Sequence, residues 1–159
     1  MAELGASQRT DLTVDEKKKA LIDRVKGLEV SSFDLTSEQD ENYNCIAWAA
    51  GDIENWWWPI GGHWPDGIEE QETLAAFEAA YGTRGYAVCE TPELEEGFEK
   101  VAIYELRGVP THAARQLPDG NWTSKLGALE DVRHPIEGLK VEIYGNPVRY
   151  LKRPRPAKQ

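Results

Sequence analysis

A chain of 159 residues is long enough for one hydrophobic core and too short to divide comfortably into two domains, so a single site is expected. Its 40% hydrophobic content, with six Trp, six Tyr and three Phe, is that of a globular chain with an aromatic core, since a disordered chain lacks the apolar surface that offsets ordering entropy. Eighteen Lys and Arg against 28 Asp and Glu give a formal charge of -10, a balance that repels phosphate backbones and anionic membrane surfaces and argues against nucleic acid and membranes as partners.

The opening residues, MAELGASQRTDLTVDEKKKALIDRV, contain no apolar run of signal-peptide length, and no later stretch approaches the roughly 18 apolar residues of a membrane span. The expected compartment is the cytoplasm, where Cys45 and Cys89 stay reduced rather than forming a disulfide. Cys45 then reads as a candidate nucleophile and Cys89 as a core residue.

Residues 1–12 are polar and read as a tail. Thr13-Val14-Asp15-Glu16 has the capping-box pattern and Leu21, Ile22 and Val25 follow at helical spacing, which predicts a helix over about 14–27. From Ser31 to Asn42 the chain is polar and turn-rich, a surface loop that ends where Asn44 caps a short apolar helix from Cys45 to about Ala50, stopped by Gly51. The stretch from Asn55 to Pro65 has too many Gly and Pro for a regular element, yet its four Trp carry too much apolar area to be left in water. It is expected to be an ordered loop packed on the body of the protein. Leu74, Phe77, Ala80 and Tyr81 line one face of a helix from about Ile68 to Tyr81, with Gly82 at its stop.

Beyond Gly82 the period changes towards two, and 86–89, 101–106, 111–116, 121–125 and 141–151 read as strands. Pro118-Asp119-Gly120 makes the third and fourth a hairpin, and a two-residue turn at Asp119-Gly120 pairs Gln116 with Thr123 and sets His112 opposite Gly127. A helical turn is expected over 128–132, and the basic, proline-broken tail from Arg153 is expected to fray. Helices followed by an antiparallel sheet predict an α+β layer structure in one domain over 13–152, and no glycine-rich phosphate loop of standard spacing is present.

Cys45 stands at the head of its helix, where free N–H groups and the helix dipole lower a thiol pKa and favour thiolate. Against this, a free Cys is as commonly one more small hydrophobe in a buried helix. His112, near the start of the strand 111–116, supplies a base. A lone His is more commonly a satisfied surface or core residue, so the pair carries the signal: a Cys on a helix followed by a distant His on a strand is the order of a thiol hydrolase. Cys45, Cys89, His63, His112 and His134 lack the close pairing of structural zinc sites, so neither metal nor cofactor is expected.

In that order of elements the stretch from about 39 to 134 resembles the papain-like superfamily, including bacterial cell-wall peptidases and cysteine, histidine-dependent amidases, in which a Cys at a helix N-terminus precedes a strand His and a third polar residue. The runs Asn42-Tyr43-Asn44-Cys45-Ile46-Ala47-Trp48-Ala49, Thr111-His112-Ala113-Ala114-Arg115-Gln116 and Trp122-Thr123-Ser124-Lys125-Leu126-Gly127 also look like a family of bacterial domains of unknown function, a likeness that covers most of the chain and brings no assigned reaction. The papain-like resemblance implies N-terminal helices packed on an antiparallel sheet. It also implies peptidase, amidase or deamidase chemistry on an amide, isopeptide or thioester bond of a protein or peptide substrate.

In papain a Gln six residues before the nucleophile donates to the oxyanion. Gln39 stands six positions before Cys45, with Asn42 and Tyr43 as alternatives, beside the Cys45 N–H. For the third residue Asp131, Ser124, Gln116 and His134 stay open. Asp131 is preferred because the hairpin register leads it back towards the imidazole, although an Asp in a polar segment is more commonly a surface carboxylate. Lys125 reads as a solvated edge charge. Trp57 could line a substrate cleft, with core packing accounting for most of the Trp56-Trp57-Trp58 run. The alternative to catalysis is an acidic binding or immunity-type module on the same scaffold, using the tryptophan loop as its contact surface.

Overall fold

A computed structural model describes residues 13, 15–19, 34–35, 41–126, 131–134, 136 and 144–155 of the chain. Residues 15–19 are helical (α1), and the capping box ahead of them forms as its sequence pattern predicts. Thr13 N donates to Glu16 Oε1 at 3.1 Å and Glu16 N to Thr13 Oγ1 at 3.2 Å, each satisfying an amide the helix cannot. The rest of the helix expected to about residue 27 lies outside the described residues.

The next helix, α2 (Cys45–Ala50), begins where Asn44, extended at φ -113 and ψ -174, accepts from the Ala47 amide, and it ends at Gly51, whose φ of 89 is left-handed. Helix α3 (Leu74–Gly82) starts six residues later than the periodicity predicts, since 74 − 68 = 6. Thr73 accepts from the Ala76 amide, and the exposed Glu69, Glu70 and Glu72 before it bury nothing and repel one another at helical spacing.

Among the described residues seven strands form one sheet in the order β1-β6-β5-β4-β3-β7-β2, and every pairing between named strands is antiparallel. They are β1 (Asp34–Leu35), β2 (Ala87–Cys89), β3 (Phe98–Leu106), β4 (Val109–Gln116), β5 (Trp122–Lys125), β6 (Asp131–His134) and β7 (Asn146–Pro154). The expected α+β class is therefore observed.

Several local expectations change. Asp34–Leu35 pairs with β6 rather than staying loop. Asp131 and Val132, expected in a helical turn, lie in β6, where Val132 packs in the core and the β5 ladder supplies backbone partners. The β4–β5 turn is longer than two residues: Leu117 N donates to Asn121 O at 2.7 Å and Gly120 N to Leu117 O at 3.0 Å. Gln116 therefore faces Trp122 and Arg115 faces Thr123, one residue out of the predicted register. At the other end β7 runs through Arg153 to Pro154, and Arg155 N still donates to Gly97 O at 2.8 Å, so the tail is held further than predicted.

The sheet has two packed faces. Val101, Ile103, Ala113 and Leu151 share one core with α2, α3, Trp57 and Trp64. Ala102, Tyr104, Ala114, Trp122, Leu126 and Val132 form a second core on the other side, flanked by Ile136, Tyr144 and Tyr150. The alternation of neighbouring residues between the two cores is the period-two geometry of a strand. The tryptophan loop packs as expected. His63 N donates to Trp56 O at 2.8 Å and Trp58 N to His63 O at 3.0 Å, and Gly62 sits so close that a Cβ there would meet the Trp56 carbonyl at 2.9 Å. No helix among the described residues is long and apolar enough to cross a membrane.

Candidate active site

The site lies where β4 and β5 part. Their ladder is paired only at Arg115–Thr123 and Gln116–Trp122, so β4 upstream of Arg115 opens away from β5. The bond from Leu117 N to Asn121 O shows which amides point towards β5, and backbone alternation puts those of Arg115 and Ala113 on the same side. The Ala113 N–H therefore points into the opening.

There it meets the thiol of Cys45, which α2 carries as its first residue and packs on Ala113 in the shared core. Burial pushes the Cys45 thiol up to about 11, against the opposing pull of the Ala113 and Ile46 amides, Lys125 and the Cys45 amide itself. The expected thiolate is thus corrected: with only 7% of the residue exposed, loss of hydration outweighs what a six-residue helix and its amides return. At neutral pH the group is a thiol.

His112 precedes Ala113 and so turns to the other face of β4. Its ring is fully buried, stacked on Tyr144 at 4.0 Å between centroids and edge-on to Tyr104 at 5.0 Å. Nε2 lies 2.9 Å from Ser124 Oγ, and that hydroxyl lies 2.7 Å from His134 Nε2. Nδ1 is buried with no hydrogen-bond partner among the described residues. Burial first, and then the nearby His134, holds the His112 imidazole well below its ordinary range, so the ring is neutral.

Cys45 and His112 thus lie on opposite faces of β4 without a hydrogen bond between them. Tyr144 links the two: it stacks on His112, and its phenol is pushed up by burial and then by the proximity of Cys45.

The other expected residues divide. Asp131 stands opposite Lys125 on β6, and β6 is separated from β4 by β5. Ser124, on the intervening strand, is the residue that bonds His112 Nε2, in place of the expected Asp131. Gln116 is committed elsewhere, donating to Pro92 O at 2.8 Å. Gln39 lies outside the described residues. Asn42 is exposed, while Tyr43 is buried, 5.9 Å from the Trp48 ring. Trp57 is only 1% exposed, hydrogen-bonded through Nε1 to Asp52 Oδ2 at 2.8 Å and stacked on Tyr81. It is a core ring and not a substrate wall, because Asp52 and Tyr81 occupy its edge and face. Trp56 is the ring left in solvent. Cys89, expected in the core, is half-buried on the edge strand β2.

Lys125, expected as a solvated edge charge, is instead enclosed, because its register turns it under α2 rather than outward. It is fully buried, with Nζ 4.7 Å from the centre of the Tyr43 ring, and its charge favours the Cys45 thiolate. The signal available was its spacing: two residues past Thr123, which faces Arg115, Lys125 returns to the face that α2 covers. Among the described residues no group of three or more His, Cys, Asp or Glu is gathered for a metal.

The model of a family described as Domain of unknown function (DUF7689) matches residues 34–152, a span that contains Cys45, His112, Ser124, Lys125 and His134. No curated protein and no solved structure matches the chain.

Proposed function

The chain belongs to the DUF7689 family, and we propose that this member is a papain-like cysteine hydrolase, with Cys45 as nucleophile and His112 as base, cleaving an amide, isopeptide or thioester bond in a protein or peptide. The observation that carries the reading is His112 Nδ1. It is a basic nitrogen in a sealed, neutral ring, without a partner among the described residues, and that ring stacks on Tyr144, whose phenol is pushed up by burial and then by nearby Cys45. Buried polar atoms are rarely left unpaired without a use. The papain-like arrangement is supported by a nucleophile on the first residue of a helix packed against an antiparallel sheet, with the histidine on the strand beneath.

Because both groups rest neutral, the chemistry is general-base attack rather than attack by a standing thiolate. Nδ1 takes the Sγ proton as sulfur bonds to the carbonyl carbon, and the carbonyl oxygen becomes an oxyanion facing the Cys45 amide and the Lys125 charge. The oxyanion collapses, the bond to the leaving nitrogen or sulfur breaks, and Nδ1–H returns its proton to that leaving group. Water, deprotonated by the same nitrogen, then cleaves the acyl-thioester to a carboxylic acid and restores the thiol.

Iodoacetamide labelling of the two thiols between pH 6 and 10, read by peptide mass spectrometry, tests this. Base assistance gives Cys45 labelling at neutral pH that falls about tenfold or more in His112→Ala. A Cys45 rate that simply follows the free thiolate and is the same in His112→Ala would overturn the reading.

One observation favours a binding module instead: Ile53, Trp56 and Ile60, on or beside the tryptophan loop, are 56%, 40% and 64% exposed. On that reading Cys45→Ala leaves function intact and Trp56→Ala weakens partner capture.

A further inference from the structure

We propose that Ser124 and His134 are positioning residues that lock His112 in a single tautomer, hydrogen on Nε2 and lone pair on Nδ1, through the chain His112 Nε2–H to Ser124 Oγ–H to His134 Nε2. The chemical meaning of that lock rests on the hydrolase reading above, whereas the lock itself does not.

The hydroxyl of Ser124 stands between two ring nitrogens, 2.9 Å from one and 2.7 Å from the other. A serine hydroxyl has one proton, so it donates to one ring and accepts from the other. Only two directions are open. Running from His134 to His112, the chain makes Ser124 the donor to His112 Nε2 and forces the His112 hydrogen onto Nδ1. That N–H would then be a buried donor with no partner among the described residues, on a ring with no exposure, and buried N–H groups are seldom orphaned. Running from His112 to His134, it leaves only a bare lone pair at Nδ1. His134 has a further interaction of its own besides Ser124.

The arrangement explains why a hydroxyl serves here. A carboxylate at Nε2 would favour imidazolium, while serine favours neither charge state and fixes only where the hydrogen sits. The two rings cannot both carry charge cheaply, since each faces the same buried hydroxyl, and the aromatic walls Tyr104 and Tyr144 offer no counter-charge. What the chain supplies to His112 is therefore orientation and tautomer, and the second histidine is its terminal acceptor.

Long-range nitrogen-15 NMR of the full chain with labelled histidine reads each ring nitrogen directly, and the protein has only three histidines to assign. At pH 8 His112 is expected to show a protonated Nε2 and an unprotonated Nδ1, and His134 the opposite. Ser124→Ala and His134→Phe should release His112 into a tautomer mixture, and His134→Gln, whose amide oxygen can still accept from Ser124, should retain most of the lock. A protonated Nδ1 on His112 in the native protein, or an unchanged tautomer in folded Ser124→Ala, would overturn the proposal. If His134→Phe fails to fold, the native spectrum still decides. A correct tautomer combined with Cys45 labelling indifferent to His112→Ala would sink the hydrolase reading and leave the lock standing.

Discussion

Asn44 and Trp57 are joined by two hydrogen bonds: Asn44 Nδ2 donates to the Trp57 carbonyl at 2.7 Å, and the Trp57 amide donates to Asn44 Oδ1 at 3.2 Å. The same Oδ1 accepts from the Ala47 amide at 3.0 Å, so one buried side chain caps α2 and fastens the tryptophan loop to the residue beside Cys45. Asn44→Ala removes all three bonds and leaves their backbone partners unsatisfied, with an expected loss of about 2 to 4 kcal/mol in urea unfolding. Asn44→Ser keeps a cap but loses the tie to the loop and should lie between. A serine variant as stable as the native protein would show that the tie contributes nothing.

The two neighbouring tryptophans should respond very differently to truncation. Trp57 is packed on Tyr81 and Trp64 and bonded to Asp52, and Trp57→Ala opens a large cavity, about 3 to 5 kcal/mol. Trp56, 40% exposed, should cost under about 1 kcal/mol. Similar losses for both, by denaturant titration, would contradict the assignment of Trp57 to the core.

The capping box at Thr13, the Asn44 cap, the Gly51 stop and the period-two strands are local signals, and local chemistry decided them correctly. Apart from the start of α3, set too early over an acidic exposed stretch, what failed were relations between distant parts. Gln116 and Thr123 missed their pairing by one residue because the turn is held by a bond from Leu117 to Asn121 that composition does not reveal. That one-residue error led Asp131 towards the imidazole in place of Ser124, which the actual register puts on the same face as His112. The sign of the Cys45 shift was equally hidden: the helix head is visible in sequence, while the burial that overrides it is set by a sheet assembled from residues far along the chain. The sequence order of Cys45 and His112 was readable, but their placement on opposite faces of β4 was not.

On the acid side, stability should reflect His112. Its folded value lies well below the ordinary 6.5, so the unfolded chain binds the proton more tightly. The stability this contributes is present above about pH 6.5 and is lost as pH falls below it, by up to about 1.4 kcal/mol per pH unit. His112→Gln, which can still bond Ser124, should flatten the decline between about pH 6.5 and 5. Parallel urea-stability profiles for the two proteins would refute this.

On the alkaline side the sign reverses. Cys45 has a folded value of about 11 against an ordinary 9.0, so the folded chain holds the proton more tightly. Its contribution is complete below about pH 9 and disappears as pH rises to about 11, at most about 3 kcal/mol over two pH units. Subtracting the profile of Cys45→Ala isolates that loss from the titration of tyrosines and lysines. Lys125→Met then asks what the buried ammonium does: removing the cation that favours the thiolate should move the Cys45 midpoint above 11 and slow iodoacetamide labelling. An unmoved midpoint in a folded Lys125→Met protein would mean that its charge is spent elsewhere and that the oxyanion role assigned to it is mistaken.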